Sequence, residues 1–203
     1  MTKEEITLVD AMSKRPVVAT LYLELAPTAL VDTEAVWGPA RVAAARSRAH
    51  AVLPIPEHWH WNWATKKDHL RLLANRCLGI ECGGVMQGLM MINLARHAAV
   101  LDSDAGKPLV YIDFIENAPW NLKSLVDEPR YLGIGIRLFE AAVMLSTNEG
   151  FHGRVGLHSL PPSEPFYERT CGMTKLDSDP DKEDLAYFEL SRASAAAFLK
   201  GRS

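Results

Sequence analysis

The chain reads as an α+β protein built around a mixed sheet. Three β-rich runs follow one another through its middle, the pattern of an antiparallel meander. A strongly amphipathic helix pattern comes next. The last third then alternates short strand, short helix and strand, which adds further layers to the sheet. With 203 residues, 48% hydrophobic and 23% charged, the composition is that of ordinary globular proteins. The length suits one domain, expected over residues 17–203 behind an N-terminal arm at 1–16.

Residues 1–16 are polar, end at Pro16, and read as a loose arm or a short helix. Val17–Leu25 is rich in β-formers and predicts a strand, stopped by Pro27. Ala, Arg and Glu between Thr33 and His50, with Pro39 near the start, predict a helix from about Gly38 onward. Ala51–Pro56 is a break. From Glu57 to Trp63 aromatic and polar residues alternate, so an extended chain would put Trp59, Trp61 and Trp63 on one face. Thr65 is placed to cap a helix over Lys66–Asn75.

Cys77–Cys82, the pair Gly83-Gly84 and Val85–Leu94 predict a hairpin with a glycine turn. A polar connection leads to Leu109–Ile115, the strongest strand pattern in the chain, and Ala118–Pro129 follows as a proline-bounded loop. Gly133–Glu149 is the clearest helix: Ile136, Phe139 and Val143 keep a helical period, and Gly150 is a natural stop. Arg154–Leu160 predicts a short strand. A short helix begins at Pro162 and Ser163, runs to Cys171 and ends at Gly172. A last strand lies near Leu185–Leu190, and the Ala-rich Ser191–Lys200 predicts a terminal helix.

Charge and cysteine content narrow the function classes. Lys and Arg number 22 against 25 Asp and Glu, a net charge of -3. Nucleic-acid binders usually carry a basic excess, so a nucleic-acid partner is not expected. The three cysteines, Cys77, Cys82 and Cys171, are too few for a disulfide framework and read as buried thiols. The polar start and the absence of a membrane-length apolar run predict a soluble, cytoplasmic protein with no membrane contact. His58 and His60 lack a third ligand cluster nearby, so no metal is expected.

One segment points to chemistry. Arg130-Tyr131-Leu132-Gly133-Ile134-Gly135 joins the strongest strand to the clearest helix. Glycines there let a backbone approach a ligand. The first helical turn offers unpaired N–H groups and the positive end of the dipole, a setting for phosphate. On these residues alone, a tight turn that only permits helix–sheet packing fits as well. The order of strand, Arg-x-x-Gly-x-Gly and amphipathic helix resembles the acyl-CoA motif of the GCN5-related N-acetyltransferase (GNAT) superfamily. The resemblance continues through a short strand into Phe166-Tyr167-Glu168-Arg169-Thr170-Cys171-Gly172-Met173, similar to the superfamily's second signature. It extends from about Cys77 to Leu190. Three features depart from the pattern: Tyr131 stands where glycine is common, four residues rather than three separate Tyr167 from Gly172, and the loop Asn117–Glu128 is long.

The resemblance implies a GNAT fold with acetyl-CoA as acyl donor and an amine as acceptor, reacting by direct attack in a ternary complex. It implies pyrophosphate binding at Arg130, Tyr131, Leu132, Gly133, Ile134, Gly135 and Ile136, and pantetheine contacts along Phe114, Ile115 and Glu116. Tyr167 would protonate the leaving thiolate; packing of its helix onto the sheet is the alternative. Glu116 is the first choice for the base and His158 the second, each with a purely structural alternative. Trp59 and Trp61 are expected to shape the acceptor pocket or to brace helices against the sheet. Trp120 is expected to cover the thioester or acceptor as part of a loop lid. A homodimer is the family's frequent state. A non-catalytic acyl-CoA sensor on the same fold is the rival function.

Overall fold

The computed structural model describes residues 2–47 and 57–201. The break at Ala51–Pro56 and the predicted helix end at His50 lie outside the described residues. The chain divides into two compact units that share strands. One comprises residues up to Met90 with Ile115–Gly135, the other Met91–Phe114 with the residues from Ile136 onward.

The first unit corrects the reading of the N-terminus. Lys3–Asp10 is strand β1 rather than a loose arm, and it pairs antiparallel with β2, Pro16–Tyr22, from Lys3↔Tyr22 to Val9↔Pro16. Its polar look comes from exposed Lys3, Glu4 and Glu5, while Leu8 is buried. Pro27 opens helix α1, Pro27–Ser47, well ahead of the expected start at Gly38. Proline's fixed φ and missing N–H suit a first helical position. Pro39 lies inside the helix and removes one intrahelical hydrogen bond. The helix nevertheless holds, because Leu30, Thr33, Trp37 and Arg41 form one buried stripe. The Trp37 indole Nε1 donates to the Met86 carbonyl at 3.1 Å.

The tryptophan run is not extended. Glu57–His60 is a 3₁₀ turn, and Asn62, not Thr65, caps α2, Trp63–Lys66, by accepting from the Thr65 N–H at 3.3 Å. A 3₁₀ turn over Lys67–Arg71 replaces the rest of the predicted helix, and Asn75 already begins β3, Asn75–Cys82. The hairpin to β4, Val85–Asn93, turns on Gly83 and Gly84, both at positive φ. The unit is completed by the end of β5, Val110–Asn117, a 3₁₀ turn at Pro119–Asn121, and the two-residue β6, Tyr131–Leu132. Within it the strands run β6-β1-β2-β3-β4-β5.

In the second unit the order is β4-β5-β7-β9-β8, with β7 at Val155–Ser159, β8 at Thr174–Asp179 and β9 at Leu185–Leu190. β7–β9 and β8–β9 are antiparallel. β5 and β7 are parallel, with three rungs from Val110↔Val155 to Ile112↔Leu157. β5 runs on to Asn117 past the last rung. Helix α3, Ile134–Asn148, buries Leu138, Phe139, Ala142 and Val143 at helical spacing. Phe166–Thr170 is a π-helical turn: the Cys171 N–H reaches the Phe166 carbonyl at 3.1 Å and the Met173 N–H the Tyr167 carbonyl at 3.0 Å. The residue added between Tyr167 and Gly172 is thus taken up as a widened turn. Helix α4, Arg192–Lys200, is capped by Ser191.

The architecture is a mostly antiparallel sheet with one parallel pair, flanked by helices. All three cysteines are buried and free. Among the described residues no helix is long and apolar enough to cross a membrane.

Candidate functional site

The glycine turn is positioned by a network anchored on Gln87, which is fully buried on β4. Its Nε2 donates to the carbonyls of Cys82 and Val85 at 3.0 and 3.1 Å. Its Oε1 accepts from Trp120 Nε1 at 2.8 Å and from Asn121 Nδ2 at 2.9 Å. Asn121 Oδ1 in turn accepts from the Tyr131 N–H at 2.9 Å, and the Trp120 carbonyl from the Arg130 N–H at 3.1 Å. Two expectations change. Trp120 is tethered by its indole rather than hung on a free lid. The main-chain N–H groups of Arg130 and Tyr131 point into the protein, so the amides left to meet a phosphate narrow to the start of α3.

That start is open. Gly133 has φ +94°, and a Cβ there would meet no atom within 4 Å. The exposed Arg130 guanidinium lies 5.1 Å from the Tyr131 ring centroid. A phosphate group fits the positive φ at the cap and the first-turn amides of Ile134–Ile136, while the Arg130 guanidinium lies by the Tyr131 ring and the Gly83 turn.

The second feature is a buried carboxylate. Glu116 lies near the end of β5, and its side chain has 0% exposure. Trp63 Nε1 donates to Oε2 at 2.6 Å, and Arg41 Nη2 lies 3.5 Å from Oε1. Arg41 also donates to Glu34 Oε1 at 3.2 Å and to the Trp61 carbonyl at 3.0 Å, while Glu34 Oε2 accepts from the Trp63 N–H at 2.9 Å. His58 Nε2 sits 3.8 Å from Glu116 Oε1 and, like Arg41 Nε, is buried with no hydrogen-bond partner among the described residues. Burial pushes the Glu116 pKa from 4.5 up to about 7, against the opposing pull of Arg41 and Trp63. Burial, then the charge of Arg41, lowers His58 from 6.5 to about 4. The pair is therefore a neutral imidazole beside a carboxyl that titrates near neutrality, the condition for a general base.

Other residues singled out from the sequence have different settings. Trp59 and Trp61 are half-buried; the Trp61 ring lies 5.4 Å from His58, with Lys66 Nζ 4.8 Å from its centroid. Trp63, fully buried, is the indole that reaches Glu116. His158 has both ring nitrogens engaged, Nδ1 with the Tyr111 hydroxyl at 2.6 Å and Nε2 facing Asp179 Oδ2 at 3.3 Å. Burial lowers its pKa in spite of Asp179. Tyr167 is buried against Phe139, Phe166 and Phe188, and burial raises its phenol pKa, which keeps it a proton donor. Among the described residues no group of three or more His, Cys, Asp or Glu is arranged to hold a metal.

Gln87, Arg41 and Glu34 did not emerge from the sequence. Gln87 left one trace, an amide in the middle of a strand run that is apolar but for it and Asn93 at the far end.

No family profile and no curated protein matches the sequence. Solved structures do. Aminoglycoside acetyltransferase AAC(6')-Ib in complex with coenzyme A and kanamycin is similar at a TM-score of 0.54 and 15% identity, covering 91% of this chain and 99% of that one. A GNAT-family acetyltransferase from Listeria monocytogenes gives 0.53 at 14% identity, with 92% and 99% covered. RimJ from Mycobacterium smegmatis in complex with CoA-disulfide gives 0.51 at 15% identity, with 98% and 94% covered. These likenesses concern the fold.

Proposed function

The chain has the fold of the GCN5-related N-acetyltransferases, and from that premise we propose that it transfers an acetyl group from acetyl-CoA to an amine by direct attack. The observation that carries this reading is Glu116: a buried carboxyl titrating near neutrality, on the stretch of β5 that runs past its parallel rungs. First-turn amides from Gly133 to Ile136 and the Arg130 side chain would hold the pyrophosphate of the donor. The main chain of Phe114, Ile115 and Glu116 would align the pantetheine arm.

Glu116 would take the proton that the acceptor amine must lose. The amine nitrogen then forms its bond to the acyl carbon, the carbon–sulfur bond breaks, and Tyr167 gives its proton to the departing thiolate. Positioning both reactants in one complex would supply much of the acceleration, and proton transfer typically adds about 10²–10⁴-fold. The half-buried rings of Trp59 and Trp61, with Trp120, would border the acceptor.

Calorimetric titration with CoA and acetyl-transfer assays over a panel of amines, peptides and charged tRNAs test this reading. Saturable CoA binding with transfer to at least one acceptor is expected. CoA binding without transfer to any acceptor would favour an acyl-CoA sensor, and no CoA binding would overturn both.

A further inference from the structure

The Glu116 carboxylate is sealed from solvent, with 0% side-chain exposure. A base must release each proton it collects, so one of its neighbours has to conduct. Among the described residues three side chains stand against the carboxylate: Arg41, Trp63 and His58. The guanidinium stays protonated throughout the working range and the indole N–H does not ionise, so neither can pass a proton on. His58 can. Its side chain is 19% exposed, and its Nε2 lies 3.8 Å from Oε1, beyond hydrogen-bond length but with no other partner among the described residues.

We propose that His58 is the proton relay of this site, joining solvent to the buried Glu116. The inference rests on Glu116 acting as the base. The step balances within the chain. A proton arriving from the amine, directly or through water, binds Nδ1, and the proton on Nε2 passes to Glu116 Oε1. The ring ends neutral in its other tautomer and the carboxyl ends protonated; reversal of both transfers resets the pair. Closing the gap needs only a small movement of the ring. The charges around the pair are Arg41 and Lys66, set against Glu34, with His60 beside His58. Burial first, then Arg41 and His60, lowers the His58 pKa and leaves the imidazole neutral, as a relay requires.

The test is His58→Ala and His58→Gln, assayed with an acceptor that the unaltered protein acetylates. Both variants should lose about 10²-fold in kcat while CoA affinity, read by calorimetry, stays unchanged. Imidazole added to His58→Ala should restore turnover saturably, and should not rescue Glu116→Gln. Wild-type kcat in both His58 variants, or no rescue by imidazole, would overturn the relay. If Glu116→Gln is inactive while His58→Ala is unaffected, the relay alone fails; if Glu116→Gln keeps full rate, the base assignment fails with it. A second measurement needs no acceptor. Long-range ¹H–¹⁵N NMR should find the His58 ring protonated at Nε2, and a ring protonated at Nδ1 would overturn the relay, because Nε2 would then hold no proton to hand on.

Discussion

Glu116→Gln should change how stability depends on pH, and the effect can be measured before any acceptor is known. The Glu116 pKa rises from 4.5, the ordinary value for a glutamate, to about 7 in the folded protein, chiefly through burial. Between those values the folded chain keeps a proton that the unfolded chain has released. Stability therefore falls as pH rises through that window. At ~1.4 kcal/mol per unit, the loss is about 3 kcal/mol in all. Glutamine has nearly the same shape, keeps an oxygen to accept from Trp63, and does not titrate. The variant should therefore gain about 3 kcal/mol on the unaltered protein as pH goes from about 4.5 to about 7.5.

The comparison has to be a difference, because His58 works in the opposite sense. Its pKa falls from 6.5 to about 4, so between those values the unfolded chain binds a proton that the folded one does not. Its contribution to stability rises with pH, and in the unaltered protein the two slopes largely cancel. Urea unfolding of both proteins at several pH values would resolve them. Parallel curves would mean that Glu116 is already ionised throughout the window, pinned by Arg41. A base titrating near neutrality would then be ruled out.

Gln87→Leu should strand the Trp120 and Asn121 donors at a cost of about 1–3 kcal/mol each; an unchanged urea midpoint would contradict the network. Arg130→Glu should weaken CoA binding about tenfold or more by calorimetry and leave the melting temperature unchanged, since the side chain is exposed. Tyr167→Phe should lower kcat by about 10²-fold or more with CoA affinity intact, and equal rates would remove Tyr167 from the chemistry.

Elements with a pure period were legible in the chain. The β3–β4 hairpin shows its glycine pair between apolar runs, and α3 keeps helical spacing over four turns. β1 and β8 were not legible, because Lys3–Glu5 and the residues Thr174–Asp179 put their polar faces outward and offer no apolar alternation. Pro27 and Pro39 misplaced the start of α1, since the same residue type can end a strand or open a helix. Asn62 overrode the extended reading of the tryptophans by capping a short helix that turns Trp63 into the core. At the site, Glu116 could be picked out from its place at the end of a strong strand. Its partners could not: Trp63 and Arg41 are 53 and 75 residues away along the chain, and only packing unites them.

An added amino acid in a helix must either push everything beyond it out of line or be absorbed as girth. At Phe166–Thr170 the protein does the latter, and the chain goes on through Gly172 into β8. Excising Glu168 would shrink that coil to ordinary width and swing the Tyr167 ring around its axis. Lengthening by one unit was accommodated here; shortening by one would relocate an aromatic side chain.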